Sequence, residues 1–415
     1  MREMKDSGLQ WAGNIPQYWN IAKGKHFMAV LERPVRDDDN VITCFRNGEV
    51  TLRSNRREDG FTVATVEAGY QGIEPGDLVV HGMDGFAGAI GISDSRGKGT
   101  PALNVLSCSE NKKYIMYLLR AMAYTEVFMA LSTGIRVRTC DTNWKKLKSL
   151  DYLIPPADEQ QCIADFLNAK CAEIDALTAD IQTQIDTLEQ YKRSVITETV
   201  TKGLNPNAEM KDSGIQWIGN MPAHWDVVRG KYILHYMQKP VREDDGVLTC
   251  FRDGEVTLRS NRREDGFTMS DKEIGYQGID VGDLVVHGMD GFAGSIGISD
   301  SRGKASPVLN VLDTDQCKRY IMYYLRSMAY SDVFIALATG IRVRSCDLRW
   351  NKLAELSYPV PPLNEQNAIV KYIDSVLSKA DAVIADKKAQ LATLDEYKKS
   401  LIFEYVTGKK EVPVS

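Results

Sequence analysis

The stretch Thr43-Cys-Phe-Arg-Asn-Gly-Glu-Val-Thr-Leu-Arg-Ser-Asn-Arg-Arg-Glu-Asp-Gly-Phe-Thr62 occurs twice in this chain. Its second copy, residues 249–268, matches at 19 of 20 positions. The same offset of 206 residues relates Met4-Lys-Asp-Ser-Gly-Leu-Gln-Trp11 to residues 210–217, and Tyr191 to Tyr397. Since solenoid repeats have periods of roughly 20 to 50 residues, each copy must be a domain-scale unit. The sequence therefore predicts two tandem, nearly identical modules.

Length and composition are those of an ordinary globular protein. The 415 residues suffice for two to three domains, and 43% hydrophobic with 26% charged residues excludes a disordered, collagen-like or disulfide-scaffold chain. No apolar run reaches the roughly 18 residues that span a bilayer, and the N-terminus lacks a signal-peptide pattern, so we expect a cytoplasmic protein without membrane contact. The net charge of −5 argues against a uniformly basic nucleic-acid coat.

Each module begins with about 150 residues of mixed helix and strand pattern. Short β-rich runs such as Asp77–His81 and Ala89–Ile92 are separated by glycines, which is typical of strands joined by tight turns. Apolar residues from Ile115 to Leu131 then recur at spacings of three and four, which predicts a helix with one core-facing stripe. The predicted fold class is α+β.

A long helix is predicted to follow each module, after the proline pairs Pro155-Pro156 and Pro361-Pro362. Asp158 and Asn364 are its predicted N-caps. Apolar residues that step by three, four or seven predict a coiled-coil seam. Gln184 and Gln390 also fall on this pattern, where they either fix the register or face solvent. The predicted seam residues are Ile163, Leu167, Ile174, Leu177, Ile181, Leu188, Tyr191 and Val195 in the first helix, and Ile369, Ile373, Val376, Ala380, Val383, Leu394, Tyr397 and Leu401 in the second.

If the two seams pair, the helices must be antiparallel, because the first leaves module one for module two and the second leaves module two with a matching seam. The modules are then related by a pseudo-twofold axis, which suits the reading of two separated places on a long polymer. The predicted domains are residues 1–156 (module one), 157–202 (first spacer helix), 203–362 (module two), 363–408 (second spacer helix) and 409–415 (a tail).

Two repeated blocks carry candidate DNA contacts. In the block quoted above, Arg can contact guanine edges or phosphates and Asn can contact adenine, while salt bridging to Glu49, Glu58 and Asp59 is an equally weighted alternative. The block from His81 to Lys98 recurs at 17 of 18 positions. It is not a phosphate loop, because its glycine spacing and the residue after the lysine are wrong, so its Arg and Lys are predicted to form a basic hairpin tip near phosphates, or else a solvated turn. The candidate DNA-contacting residues are Arg46, Arg53, Asn55, Arg56, Arg57, His81, Asp84, Arg96, Lys98, Arg136 and Arg138 in module one, and Arg252, Arg259, Asn261, Arg262, Arg263, His287, Asp290, Arg302, Lys304, Arg342 and Arg344 in module two.

A catalytic or metal site is not expected. His81 with Asp84, and His287 with Asp290, could indicate acid–base chemistry or metal ligation, but no third ligand and no nucleophile signature accompany them. A hydrogen-bonded or base-contacting histidine at a strand end is the favoured interpretation. The Asn/Asp-Pro-Pro-aromatic motif of DNA methyltransferases is also missing.

Three motifs, each present twice and in the same order, resemble those of the specificity subunits of Type I restriction-modification systems. The module start, Asp6-Ser-Gly-Leu-Gln-Trp-Ala-Gly-Asn-Ile-Pro-Gln-Tyr-Trp19, resembles the family's Ser-Gly-x-x-Trp-x-Gly-x-Ile-Pro-x-x-Trp. Residues 155–160 and 361–366 resemble its Pro-Pro-Leu-x-Glu-Gln entry into the spacer helix, with Ala157 as one departure, and Thr133-Gly-Ile-Arg136 precedes the first entry. The resemblance covers nearly the whole chain.

The resemblance implies a non-catalytic subunit that binds double-stranded DNA at the two halves of an interrupted site. It further implies that two methyltransferase subunits dock on the spacer helices and recognition domains, and that a motor-nuclease subunit joins for cleavage. S-adenosylmethionine, ATP and Mg would then belong to those partners, with no cofactor on this chain. The residues assigned to the partner interface are Leu167, Ile174, Leu177, Ile181, Leu188, Tyr191, Ile373, Val376, Val383, Leu394 and Tyr397. The alternatives are a self-contained DNA-processing enzyme that uses the His/Asp pairs, and a coiled-coil adaptor without DNA contact.

The near identity of the modules goes beyond the family pattern, in which the two recognition domains usually differ. Nearly identical readers should read nearly identical bases, and antiparallel helices would present them in opposite senses. The sequence therefore predicts an interrupted, near-palindromic site with one methylated adenine on each strand.

Overall fold

The computed structural model describes residues 2–56, 68–130, 142–262, 274–336 and 348–413. The chain divides into two compact units. Unit 1 combines Met1–Ile181 with Lys388–Ser415, and unit 2 is Gln182–Lys387. Each unit therefore contains one module together with a half of each long helix.

Short antiparallel strands build module one around a four-stranded sheet in the order β4-β11-β8-β9. Two-stranded ladders join β1 to β2, β3 to β12, β5 to β6 and β7 to β10. The predicted strands at Asp77–His81 and Ala89–Ile92 are confirmed as β8 and β9. The strands are β1 (Met4–Asp6), β2 (Asn14–Pro16), β3 (Asn20–Lys23), β4 (Met28–Val30), β5 (Ile42–Cys44), β6 (Val50–Leu52), β7 (Gln71–Ile73), β8 (Leu78–His81), β9 (Ile90–Ile92), β10 (Gly97–Gly99), β11 (Leu103–Cys108) and β12 (Asp151–Ile154).

Module two repeats this topology, with a four-stranded sheet in the order β16-β23-β20-β21 and the same set of two-stranded ladders. The strands are β13 (Met210–Asp212), β14 (Asn220–Pro222), β15 (Asp226–Arg229), β16 (His235–Met237), β17 (Leu248–Cys250), β18 (Val256–Leu258), β19 (Gln277–Ile279), β20 (Leu284–His287), β21 (Ile296–Ile298), β22 (Gly303–Ala305), β23 (Leu309–Asp313) and β24 (Ser357–Val360).

Eight α-helices are described: α1 (Lys112–Tyr124), α2 (Val127–Ala130), α3 (Trp144–Leu147), α4 (Ala157–Lys202), α5 (Lys318–Tyr330), α6 (Val333–Ala336), α7 (Trp350–Glu355) and α8 (Leu363–Val406). The single helix predicted from Ile115 to Leu131 is instead two, because Glu126 adopts a left-handed conformation (φ 60°) between α1 and α2. Leu131 lies outside the described residues. Asp332 (φ 55°) makes the same break in module two.

The long helices begin at the predicted residues, Ala157 and Leu363, but the two predicted N-caps are wrong. Asp158 and Asn364 lie inside the first turn, and the carbonyl of Pro156 accepts hydrogen bonds from the backbone N–H groups of Glu159 and Gln160. The Glu-Gln pair instead ties the helix to the module. Glu159 accepts a hydrogen bond from the Trp19 indole (2.9 Å), and the Gln160 amide donates to the carbonyl of Pro155 (3.0 Å).

The core of each module is completed by the end of the other module's helix. In unit 1, Ile402 and Val406 of α8 are fully buried among the residues of module one, and Tyr114 donates a hydrogen bond to the carbonyl of Val406 (3.2 Å). In unit 2, Ile196 and Val200 of α4 occupy the same place in the core of module two. A module cut from both helices therefore loses part of its core.

Within each unit the halves of α4 and α8 pack against each other and run antiparallel. In unit 1 the ring of Phe166 lies 4.5 Å from that of Tyr405, while Asp175 pairs with Lys398 at 2.5 Å. In unit 2, Lys387 donates a hydrogen bond to Gln184, while Lys192 pairs with Asp381 at 2.6 Å. The position on α8 decreases as the position on α4 increases, which confirms the predicted antiparallel pairing.

The predicted seam is confirmed in part, since eight of its sixteen residues are buried: Ile163, Leu167, Ile174, Ile181, Ile369, Ile373, Ala380 and Leu401. The buried side chains of the seam also include Cys171, Ile185 and Ile384, which the heptad pattern missed. Gln184 and Gln390 are exposed, and Gln184 accepts a hydrogen bond from Lys387 in unit 2. Four predicted seam residues are wrong because their side chains are 42–55% exposed: Leu177, Tyr191, Val383 and Tyr397.

In the part of the chain that the structure describes, no helix combines the length and apolar character needed to cross a membrane.

Candidate nucleic-acid interface

The first repeated block forms a β-hairpin whose tip is exposed. Strands β5 and β6 pair from Ile42 opposite Leu52 to Cys44 opposite Val50. At the tip, the backbone N–H groups of Phe45 and Gly48 close the turn, on the carbonyls of Glu49 and Phe45 respectively, each at 2.8 Å. Gly48 needs its left-handed conformation (φ 84°) to do so. The hairpin therefore presents residues 46 and 47 to solvent.

A buried arginine anchors this hairpin from below. Arg120 of α1 is 8% exposed, and its guanidinium donates to the carbonyls of Ile90 (2.8 Å) and Gly48 (2.9 Å). On the same side, a Cβ at Gly91 would lie 2.0 Å from the carbonyl oxygen of Gly48, so only glycine permits this approach. The glycine-rich block is thus a packing surface for the hairpin tip.

Two exposed arginines form a cluster with the tip. Arg46 is 67% exposed and pairs with Asp84 at 2.8 Å. The guanidinium of Arg56 lies over the ring of Phe45, 4.3 Å from its centroid, and pairs with Glu49 at 3.3 Å. We call these five residues, together with Asn47, whose amide oxygen accepts a hydrogen bond from Arg56 (3.4 Å), the hairpin site. Salt bridging to Glu49, the alternative weighed from the sequence, is therefore present, and it leaves both guanidinium groups accessible to solvent.

Module two repeats the hairpin site with one change. Arg252 pairs with Asp290 at 3.2 Å, and Arg262 lies 4.3 Å over the ring of Phe251. Arg262 also pairs with Asp253 at 2.8 Å, where module one has Asn47. The hydrogen bond that Arg262 donates to the Asp253 carboxylate raises the pKa of its guanidinium.

The remaining members of the first block brace the hairpin rather than project from it. The Arg53 Nε donates to the hydroxyl of Thr43 (3.0 Å), and the Asn55 amide donates to the hydroxyl of Thr51 (2.8 Å). Arg259 and Asn261 make the same bonds in module two. These contacts hold the turn after β6 against the strands, so they favour a positioning role for both residue types.

His81 stabilises the turn that follows β8. Its Nδ1 accepts hydrogen bonds from the backbone N–H groups of Met83 (3.2 Å) and Asp84 (3.1 Å), so its proton lies on Nε2. Burial lowers the pKa of His81, so the ring is neutral at neutral pH. His287 makes the same bonds to Met289 and Asp290. Such a ring offers an N–H donor and no free base nitrogen, which opposes the interpretation as an acid–base pair.

The predicted basic hairpin tip at Arg96 and Lys98 is wrong in its local structure. Strand β9 pairs with β8, whereas β10 pairs with β7, so these residues link two sheets. Arg96 is 22% exposed and is paired with Asp39 (3.0 Å) and with Glu74, while Lys98 lies within β10. In module two, Arg302 pairs with Asp245 (2.7 Å) and Asp280 (2.6 Å), and Lys304 lies in β22. These ion pairs favour a structural role for both arginines.

Six predicted DNA contacts lie outside the described residues and stay predictions: Arg57, Arg136, Arg138, Arg263, Arg342 and Arg344.

The predicted partner-interface residues fall into three groups. Leu167, Ile174, Ile181 and Ile373 are buried, so their assignment to a partner interface is wrong. Leu188, Val376 and Leu394 are partly buried. The four exposed residues are repeat-related in pairs, and they stay predictions for partner contact: Leu177 with Val383, and Tyr191 with Tyr397.

The sequence interpretation missed Arg120 and its counterpart Arg326, which donates to the carbonyls of Ile296 and Gly254 at 2.8 and 2.9 Å. A signal was available, because a charged residue recurs in both copies inside an otherwise apolar helical stripe. A cation in that position must find buried acceptors.

No family model matches the chain. Two specificity subunits from Methanocaldococcus jannaschii are similar along much of their length. The putative type I restriction enzyme MjaX specificity subunit is 25% identical over 96% of this chain and 95% of its own. The type I restriction enzyme MjaVIII specificity subunit is 24% identical over 73% of this chain and 72% of its own.

The fold matches that of a chain in a solved structure described as the structural basis underlying complex assembly and conformational transition of the type I R-M system. The TM-score is 0.66 at 12% identity, over 95% of this chain and 99% of that one. The duplicated motifs and the similarity along nearly the whole chain thus make this protein similar to the specificity subunits of type I restriction enzymes, and the solved structure shares its fold.

Proposed function

We propose that this chain is the DNA-recognition subunit of a type I restriction-modification complex and that its two hairpin sites contact the DNA. The observation that carries the proposal is the hairpin site itself, which occurs in both modules with one change, Asn47 to Asp253. Exposed guanidinium groups on a rigidly anchored turn suit phosphates and guanine edges, because little conformational entropy is lost when they bind. Arg46 and Arg252 are the most exposed members, so we assign them the first contacts.

The chemistry is assigned to partner subunits. The neutral His81 ring, with its Nδ1 occupied by two backbone donors, supports a non-catalytic role for this chain. We propose that methyltransferase subunits dock on the spacer helices and that a motor-nuclease subunit joins for cleavage. S-adenosylmethionine, ATP and Mg would be bound by those partners, and the complex would work in the cytoplasm.

The site that the complex recognises is proposed to be an interrupted, near-palindromic sequence. The support is the repeat, because the second hairpin strand, the hairpin arginines and the anchoring arginine are the same in both modules. Sequencing of methylated adenines in a strain that carries the cognate methyltransferase tests this directly. Two unrelated half-sites would contradict it and would move specificity to residues that differ between the modules.

DNA contact is tested by replacing both exposed arginines, Arg46→Ala with Arg252→Ala, in the full chain assembled with its methyltransferase partner. Two lost phosphate contacts should lower the salt slope of duplex binding by about two for all sequences, whereas lost base contacts should cost about 1 to 3 kcal/mol each at the cognate site. Arg36→Ala with Arg242→Ala is the matched control, because Arg36 is 63% exposed and also paired with a carboxylate, Glu74. Equal effects of the two double variants would contradict the assignment.

The purified chain alone should neither cut nor methylate duplex DNA when magnesium and S-adenosylmethionine are supplied. Cleavage under these conditions would favour the self-contained enzyme. Absence of any DNA binding by the assembled complex would favour the adaptor.

A further inference from the structure

One residue distinguishes the two hairpin sites. Within the 20-residue block, position 47 is Asn in module one, and its counterpart in module two is Asp253. Both residues lie at the exposed tip of their hairpin, next to Arg46 and Arg252 respectively. A change at this place alters the charge of the surface that we assign to DNA.

The substitution changes how the second arginine of the site is paired. Among the described residues, Arg262 contacts two carboxylates, Asp253 at 2.8 Å and Glu255 at 3.3 Å. Arg56 contacts one carboxylate, Glu49 at 3.3 Å, and the neutral amide oxygen of Asn47 at 3.4 Å. The local balance of formal charge is thus more negative by one around Arg262.

Other features of the two sites match, so the difference is confined to this residue. Both arginines lie 4.3 Å over a phenylalanine ring, and both hairpins carry a neighbouring Arg–Asp pair. The segments that follow, residues 57–62 and 263–268, are identical in sequence. No compensating charge change is present in this block.

We infer that Asn47 and Asp253 set the relative strength of the two hairpin sites toward a polyanion, so that module one binds its half of the DNA more strongly than module two. The inference rests on the proposed function, since it takes DNA as the ligand. A carboxylate at the tip repels phosphates and competes with them for the guanidinium of Arg262. The two modules then read the same bases with unequal affinity.

The test exchanges the two residues in the full chain assembled with its methyltransferase partner, with a random-sequence DNA duplex as the probe. Asn47→Asp should reduce the log–log salt slope of binding by up to about 0.9, and Asp253→Asn should increase it by a similar amount. Over a fourfold range of salt, each change corresponds to an affinity shift of about 3.5-fold. Asn364→Asp and Asp158→Asn are matched controls, because they make the same charge changes at a repeat-related, exposed pair outside the hairpin site.

Removal of each arginine then measures the two modules separately. Arg56→Ala should weaken binding more than Arg262→Ala. When each substitution is made separately in the Asn47→Asp, Asp253→Asn background, the order of the two losses should reverse. Equal losses, or an order that the exchange leaves unchanged, would overturn the inference while the DNA-binding function stands. Failure of the unmodified complex to bind the duplex would overturn both.

Discussion

Replacement of a residue near the end of the chain should destabilise the module at its beginning. Ile402 of α8 is fully buried in the core of module one, beside Leu401 and Val406. Truncation of a buried isoleucine to alanine costs about 2 to 5 kcal/mol, out of the roughly 5 to 15 kcal/mol that stabilise a typical domain. Ile402→Ala should therefore raise the unfolded fraction of module one by about 30-fold or more.

The sharpest assay is hydrogen exchange measured by mass spectrometry on the full chain. Peptides that cover β11 and α1 should exchange faster in Ile402→Ala, while those that cover β23 and α5 should not change. Ile196→Ala, the repeat-related variant, should give the opposite result because Ile196 is 3% exposed in the core of module two. Ser400→Ala, on the exposed side of α8, controls for a general loss of helix stability. Faster exchange in module two of the Ile402→Ala variant, or in neither module, would refute the shared-core reasoning.

Three further outcomes are expected from the shared core, from an ion-pair cluster and from the hairpin anchor. A fragment of residues 1–206 should pair with a second copy of itself in light scattering, because Ile196 and Val200 are the repeat counterparts of Ile402 and Val406, whereas residues 1–156 alone should not fold. Hydrogen bonds from Lys239 and Arg302 lower the pKa of Asp280 from 3.8 to about 2. The stability that these bonds give the folded chain is therefore complete above about pH 4 and is lost as the pH falls towards 2. Asp280→Asn should flatten the pH dependence of the urea unfolding midpoint across that window. Arg120→Lys should speed hydrogen exchange at the β5–β6 hairpin and weaken DNA binding, since a lysine cannot serve both carbonyls with the same fork.

Periodicity and repetition were enough to predict the two modules, the strands β8 and β9, and the long helices. They did not predict which face of each long helix is buried, because that helix packs against a module as well as against the other long helix. A strict heptad pattern assigns each apolar residue to a single partner helix, so it placed Leu177 and Tyr191 in the seam, although they are about half exposed. Ile196 and Val200 do not fit that pattern because they pack against a module and not against α8 alone. Such a choice between neighbours depends on tertiary packing that spacing does not encode.

The arginines show the same limit on the scale of single residues. Sequence alone treated Arg46, Arg53 and Arg96 alike, because all three recur in both copies. The structure separates them by their surroundings: Arg53 donates to a hairpin threonine, Arg96 lies on two carboxylates, and Arg46 stays two-thirds exposed. To bind a phosphate, Arg96 would have to leave Asp39, whose side chain is 3% exposed and would keep an uncompensated charge.

A duplicated recognition domain can most easily change at positions that leave its fold intact. Gly48, Gly91 and Arg120 form the anchor beneath the hairpin, and a side-chain change at any of them would move the whole tip. Position 47 lies at the exposed tip, where Asn and Asp have nearly the same shape, so the substitution changes the charge of the site without moving its backbone. The single difference in an otherwise identical block therefore lies where it affects binding and spares folding, as expected if the two modules have begun to differ in how strongly they hold their halves of a common site.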